Sequence, residues 1–196
     1  MQQNKKSNTQ RSRNWIFIVY PDTAPTNWRE IVDEFGVPWA HSPLHDKDVN
    51  EYGGIKKAHY HCVIKFSNLK SYQQMLQLTG TLRTVNPQKC ESLIGKLRYF
   101  THQDNPEKYQ YDSADIVARN GMDVIELLKP TRTETHAILH DMRKYIRENR
   151  ITELHELYEY ADSESTTWSR VIDKNTYSLN QVLTSQRHSF DRYKKR

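Results

Sequence analysis

Apolar residues change their spacing along the chain, and the changes mark out elements. Residues 14–20 (NWIFIVY) are apolar at nearly every position, which predicts a strand buried on both faces and central in its sheet, ended by Pro21. Thr26 is placed to cap a helix over about residues 27–35, with Glu30 near its first turn and Gly36 closing it. A second short strand is expected over residues 37–41, broken by Pro43, followed by a polar loop over 46–54 that turns at Gly53-Gly54. Residues 57–66 give the clearest strand pattern. Residues 71–78 read as a helix with Gly80 behind it, 82–85 as a short strand and 91–102 as a helix. The resulting order, β-α-β-β-α-β-α, has the split βαβ character of a ferredoxin-like α+β fold. That fold is an antiparallel sheet with helices on one face.

After about residue 130 the strand signal stops. Residues 133–149, 151–160 and 166–183 carry helical spacing, with Ile138, Met142, Tyr145 and Ile146, then Leu154, Leu157 and Tyr158, placed for helix–helix packing. The expected organisation is a basic, disordered tail over 1–13, an α+β domain over 14–130 and a small all-helical domain over 131–196. A helical unit of that size is marginal alone and invites self-association.

Composition removes several classes of function. With 36% hydrophobic and 27% charged residues the 196-residue chain is polar but has enough apolar side chains to fold. No apolar run approaches the roughly 18 residues of a membrane helix. The N-terminal MQQNKKSNTQRSR has no apolar stretch behind its charges, so no secretory leader is expected. Cys62 and Cys90 form neither a CxxC pair nor a disulfide framework, which makes a reducing cytoplasm the expected location. There is no P-loop and no GxGxxG. The net charge of +5 is modest. Its basic ends, Lys5, Lys6, Arg11 and Arg13 at one and four of the last five residues at the other, suit a polyanionic partner.

Candidate chemistry starts in the strand HYHCVIKF. Side chains alternate between faces, so Tyr60, Cys62, Ile64 and Phe66 form the core side and His59 and His61 stand together on the other. Upstream, His45-Asp46-Lys47-Asp48 enters the polar loop, and a hairpin through Gly53-Gly54 would bring it back beside His59. His45 with one carboxylate, Asp46 or Asp48, would then complete a set of three imidazoles and one carboxylate. Such a set favours Mn²⁺, Co²⁺ or Zn²⁺ over Ca²⁺. Four protein ligands would saturate tetrahedral Zn²⁺, so an ion accepting five or six ligands is expected, Mn²⁺ first, with Mg²⁺ or Co²⁺ as alternatives. Neutral imidazoles are required, so binding should weaken below about pH 6. In the helix over 91–102, Leu93, Ile94, Leu97 and Phe100 make the apolar stripe. At about 100° per residue Tyr99 lies roughly 200° from Leu97, nearly opposite it. Lys96 and Arg98 flank this tyrosine, a candidate nucleophile that would need a metal-polarised phosphate or a neighbouring base.

Together, SPLHDKD, KKAHYHCVI and RYFTH resemble the RepB-type plasmid replication initiators of the HUH endonuclease superfamily. VYPDTAPTNW, GVPWAHSPLHD and YDSADI fit the same pattern. The resemblance is close over residues 14–116 and extends in outline through the C-terminal part, which in the family is an oligomerisation domain. It implies that His59 and His61 are the HUH pair, that His45 and Asp48 are the other metal ligands, and that Tyr99 is the catalytic tyrosine. It also implies nicking of one DNA strand at a plasmid double-strand origin, a 5′-phosphotyrosyl link, and a 3′-OH that primes rolling-circle replication. Expected partners are origin DNA, other copies of the chain through the C-terminal helices, and a host replication helicase. Transesterification conserves the phosphodiester bond energy, in keeping with the missing P-loop. Lys56, Lys57, Lys96, Arg98 and Lys108 are candidates for phosphate contacts. A mobilisation relaxase with the same chemistry, a non-enzymatic DNA-binding regulator with a structural metal, and a metallophosphodiesterase using activated water are the alternatives.

Overall fold

The computed structural model describes residues 11–164 and 166–194. The described residues divide into two compact units, one up to residue 128 and one from residue 129. The first contains β1 (Arg11–Val19), α1 (Trp28–Asp33), β2 (Trp39–His41), β3 (Tyr60–Ser71), α2 (Tyr72–Gly80), β4 (Gln88–Lys89), α3 (Leu93–Tyr99), β5 (Val117–Arg119) and α4 (Val124–Leu127). A single 3₁₀ turn at Ser113–Asp115 precedes β5.

The five strands form one sheet in the order β4-β1-β3-β2-β5, with every pairing antiparallel. β3 is central, and Cys62, Val63 and Ile64 are buried on both its faces. On one face Trp15, Phe17 and Val19 of β1, Trp39 of β2 and Cys62, Ile64 and Phe66 of β3 pack with Trp28 and Val32 of α1 and Met75 of α2. This is the expected helical layer. The opposite face is covered too: Ala40 and Val63 pack with Leu97 and Phe100 near α3 and with Met122 and Val124 near α4. The one-face expectation therefore needs correcting. Val63 leaves apolar surface on the second side, and α3 is the element that covers it.

Other boundaries shift for local reasons. Residues 11–13, expected in the disordered tail, begin β1, because β3 continues to Ser71 and offers Arg11 and Ser12 partners at Ser71 and Lys70. The basic residues Lys5 and Lys6 lie outside the described residues, as do 195–196. Residues 82–85, expected as a strand, are a turn at 82–83, with Arg83 at φ +51, and irregular backbone at 84–85, and the ladder is made instead by Gln88 and Lys89 against β1. Ser71, not a helical residue, caps α2 through a reciprocal capping box with Gln74. Asn27 rather than Thr26 precedes α1. Gly36 (φ +64) ends α1's turn and Gly53 (φ +79) the loop hairpin, both in backbone conformations that suit glycine. Ile94, expected in the apolar stripe, is 40% exposed.

The second unit is helical: α5 (Arg132–Glu148), α6 (Leu154–Glu164) and α7 (Thr166–Lys194), the last interrupted by non-helical geometry at Asn175. Its core joins Met142, Ile146, Leu157, Ala161, Val171, Ile172, Leu179 and Leu183. No helix among the described residues is long and apolar enough to cross a membrane. Cys62 and Cys90 are both buried free thiols.

Candidate active site

The polar loop returns as the glycines suggest. Asn50 N–H donates to the Gly54 carbonyl at 2.8 Å, and the Asn50 side-chain oxygen accepts from the Tyr52 and Gly54 amides. This closes a hairpin in which His45 and His59 form a mutual backbone pair, at 2.9 and 3.2 Å. Directly opposed antiparallel residues project to the same side, so both imidazoles meet that of His61 beneath the second face of the sheet.

His45, His59 and His61 are all buried, with one ligand atom from each lying within 4.8 Å of the others. The carbonyls around them set the tautomers. His45 Nε2–H donates to the Phe100 carbonyl at 2.8 Å, leaving Nδ1 3.4 Å from Asp48 Oδ2. His59 Nδ1–H donates to the Lys57 carbonyl at 2.7 Å, leaving Nε2 3.3 Å from His61 Nε2. Burial holds the His61 and His45 imidazoles below the ordinary histidine range, aided at His61 by the Lys96 ammonium, so both are neutral donors at physiological pH. Burial alone would raise the Asp48 carboxyl; the hydrogen bond from the Tyr111 hydroxyl, and the His45 and His102 imidazoles when they carry a second proton, outweigh it and shift it downward. Asp48 is buried, whereas Asp46 points to solvent.

Two residues with no assigned role in the sequence reading belong to this cluster. Tyr111 stacks on the His45 ring at 4.2 Å and 9°, and its hydroxyl donates to Asp48 Oδ1 at 3.1 Å while accepting the Lys47 amide. Burial, with Asp48 and Asp46 near, pushes the Tyr111 phenol up to about 12, so it stays a donor. His102 is fully buried, and its Nδ1–H donates to the Tyr109 carbonyl at 2.7 Å. Its Nε2 has no hydrogen-bond partner and lies 3.8 Å from Asp48 Oδ1. His45, Asp48 and His102 form a second group of ligand atoms within 4.8 Å of one another. Neutral imidazole nitrogens, a buried carboxylate and an orphaned acceptor suit a divalent cation with mixed nitrogen and oxygen ligands. The only sequence signals for His102 and Tyr111 were their places in RYFTH and YDSADI.

Tyr99, the last residue of α3, is half-buried on the side of the helix away from Leu97. Its ring meets His61 edge-on at 5.1 Å and His102 at 5.0 Å. Lys96 Nζ lies 4.4 Å and Lys108 Nζ 4.8 Å from the ring centre, and Lys108 Nζ is 3.4 Å from the phenol oxygen. A phenol, two ammonium groups and a cluster of three imidazoles and a carboxylate are thus gathered in one place. Arg98 is half-buried on the same helix. Lys56 and Lys57 are exposed just before His59, with Lys57 paired to Asp22 at 3.0 Å.

Comparison with known proteins follows the same division of the chain. A family model described as "Plasmid replication protein, origin binding domain" matches residues 7–125, and one described as "Replication protein RepB, C-terminal" matches residues 132–188. "Replication protein RepB" of Lactiplantibacillus plantarum is 41% identical over 178 residues, covering 89% of this chain and 81% of the relative. "Replication protein" of Staphylococcus aureus is 35% identical over 192 residues, covering 97% and 96%. "Replication protein RepB" of Streptococcus agalactiae is 28% identical over 187 residues, covering 90% and 87%. The chain belongs to the RepB family of plasmid replication initiators.

Proposed function

We propose that this initiator is a metal-dependent, site-specific DNA nicking and joining enzyme that starts rolling-circle replication at a plasmid double-strand origin. The observation that carries the reading is the Tyr99 ring set edge-on against His61, with Lys108 Nζ 3.4 Å from its oxygen. His45, Asp48, His59 and His61 would hold the cation, for which Mn²⁺ is the best match to a mixed nitrogen and oxygen set with room left for substrate. Bound there, the ion supplies Lewis-acid polarisation of a phosphodiester oxygen.

The chain's own residues do the rest. Tyr99 Oη attacks the scissile phosphorus. The P–Oη bond forms as the P–O3′ bond breaks, and the phenol proton is balanced by protonation of the departing 3′ oxygen. The phosphodiester count is unchanged, so the 3′-OH can later attack the phosphotyrosine and restore the strand without a nucleotide. Lys108 places positive charge beside the phenol oxygen and Lys96 over the Tyr99 ring, where both would meet the incoming phosphate. The nick site must be unpaired for in-line attack. Arg98, Lys56 and Lys57 would contact neighbouring phosphates. The α+β domain over 14–130 would carry origin binding and chemistry, and the helices of 131–196 would join copies of the chain. The primed 3′-OH would pass to a host helicase and polymerase in the cytoplasm.

The test is a denaturing gel. Unmutated protein and Tyr99→Phe are incubated with supercoiled parent plasmid, with and without Mn²⁺. The unmutated protein should give a covalent protein–DNA adduct only with the metal, and Tyr99→Phe should bind the plasmid but give no adduct. Equal adduct from both proteins would refute Tyr99 as nucleophile.

A further inference from the structure

The sheet face that carries the histidines is unevenly covered. In antiparallel ladders opposed residues share a face. Ile18 opposes His61, Ile16 opposes Val63, and Gln88 opposes Ile16 from the far side, so all five side chains lie on this face. Val63 is sealed beneath Leu97 and Phe100. Ile16 and Ile18 are only half-buried, and Val85 beside them is 43% exposed. Between them runs a cleft of about 60 Å³. Ile16 and Ile18 line it from the sheet, with Val85, Asn86 and Gln88 beside them, and His61 and Lys96 belong to the same lining.

Two of these residues tie the cleft to the candidate active site. His61 belongs to the histidine cluster, and Lys96 holds its ammonium 4.4 Å from the Tyr99 ring. The cleft therefore begins where a phosphate approaching Tyr99 would stand. Its chemistry differs from that of a phosphate site. Ile16, Ile18 and Val85 are aliphatic, no lining residue is acidic, and Lys96 is the single cation. The lining carries two exposed carboxamides, and neither makes a side-chain hydrogen bond to the other described residues. A carboxamide offers one acceptor and two donors in a plane, the complement of a base edge. Unpaired bases are recognised through contact with their faces and hydrogen bonds to their edges; here the face contact would be aliphatic, from Ile16 and Ile18.

We propose that the open side of this cleft receives the edge of one unpaired nucleobase next to the phosphate presented to Tyr99, and that Asn86 and Gln88 read that edge. Strand recognition at the nick would then include a contact made by the short edge strand β4, outside the histidine cluster. The inference rests on the nicking reading for the position of the phosphate, but its test does not.

Full-length protein with Mn²⁺ is titrated into fluorescein-labelled oligo-dA, oligo-dC and oligo-dT, and binding is read by anisotropy. The unmutated protein should prefer its best homopolymer over its worst by about five- to a hundredfold, the range of one bidentate base contact. Asn86→Ala combined with Gln88→Ala should bring the three within about twofold of one another, with Mn²⁺ affinity unchanged, a check that the site is intact. Val85→Trp, which fills the cleft from its exposed side, should weaken all three. Equal binding of the three by unmutated protein, or an undiminished preference in the double variant, overturns the proposal. Adduct formation on the parent plasmid is scored separately. Base preference without adduct keeps the cleft and removes the Tyr99 chemistry, whereas adduct without base preference does the reverse.

Discussion

Acid should weaken the α+β unit through a histidine outside the buried histidine cluster. His41 ends β2 and is 2% exposed. Its ring packs against Trp28, Trp39 and Tyr60 at centroid distances of 5.2, 5.8 and 5.0 Å. Nδ1–H donates to the Ser42 carbonyl at 2.7 Å, and Nε2 accepts from Arg29 Nε–H at 3.0 Å. Protonating Nε2 would set one donor against another. Burial is the main cause of a pKa lowered to about 4; the Ser42 carbonyl opposes the shift and the charges of Arg29 and Arg119 add to it. In the unfolded chain the ring titrates near 6.5. As pH falls the unfolded state takes up the proton first, so the stability contributed by the neutral ring is complete above about pH 6.5 and is lost through the window down to about 4. Linkage gives a loss of about 2 kcal/mol at pH 5 and about 3 kcal/mol at pH 4. The assay is urea unfolding followed by tryptophan fluorescence, with chelator present, on unmutated protein and His41→Gln. The other histidines titrate in both proteins and cancel. The stability advantage of the unmutated protein should shrink by about 2 kcal/mol between pH 7 and pH 5. A constant difference across that range would refute the assignment, and an NMR titration of the His41 ring near pH 6.5 would refute it directly.

Three further outcomes are expected. Tyr111→Phe keeps the ring on His45 but removes the hydroxyl from Asp48, so Mn²⁺ affinity measured by calorimetry should drop about 10- to 100-fold; an unchanged affinity would show that Asp48 needs no such support. His61→Ala should abolish the Mn²⁺-dependent covalent adduct and weaken Mn²⁺ binding, and an adduct formed at the normal rate would remove His61 from the centre. Leu157→Ala opens a void in the helical core and should cost about 2–5 kcal/mol in thermal or urea unfolding of that unit; a loss under 1 kcal/mol would mean the core there collapses around the gap.

What could be read from the sequence was local and periodic. Alternation in HYHCVIKF separates Cys62 and Ile64 from His61 without any knowledge of the partners, because period two is a property of the strand itself. The hairpin through Gly53-Gly54 was visible because turn chemistry is carried by the turn residues. β4 and β5 were not visible. Gln88, Lys89 and Arg119 are polar and exposed, and they become strands only because β1 and β2 offer unpaired edges. The site divides in the same way. His45, Asp48, His59 and His61 come from two segments joined by a readable loop. His102 and Tyr111 arrive through irregular backbone, His102 at φ +60 just beyond α3 and Tyr111 before a single 3₁₀ turn. No periodicity announces a side chain whose position depends on a left-handed residue.

The central strand β3 has a consequence for quality control. Its even positions enter the tryptophan-rich core, while its odd positions put His61 into the histidine cluster and Val63 beneath Leu97 and Phe100. A slip of one position against β1 would drive His61 among the tryptophans and turn Cys62 and Ile64 toward the histidine cluster. Misassembly therefore forfeits cohesion and chemistry in one stroke.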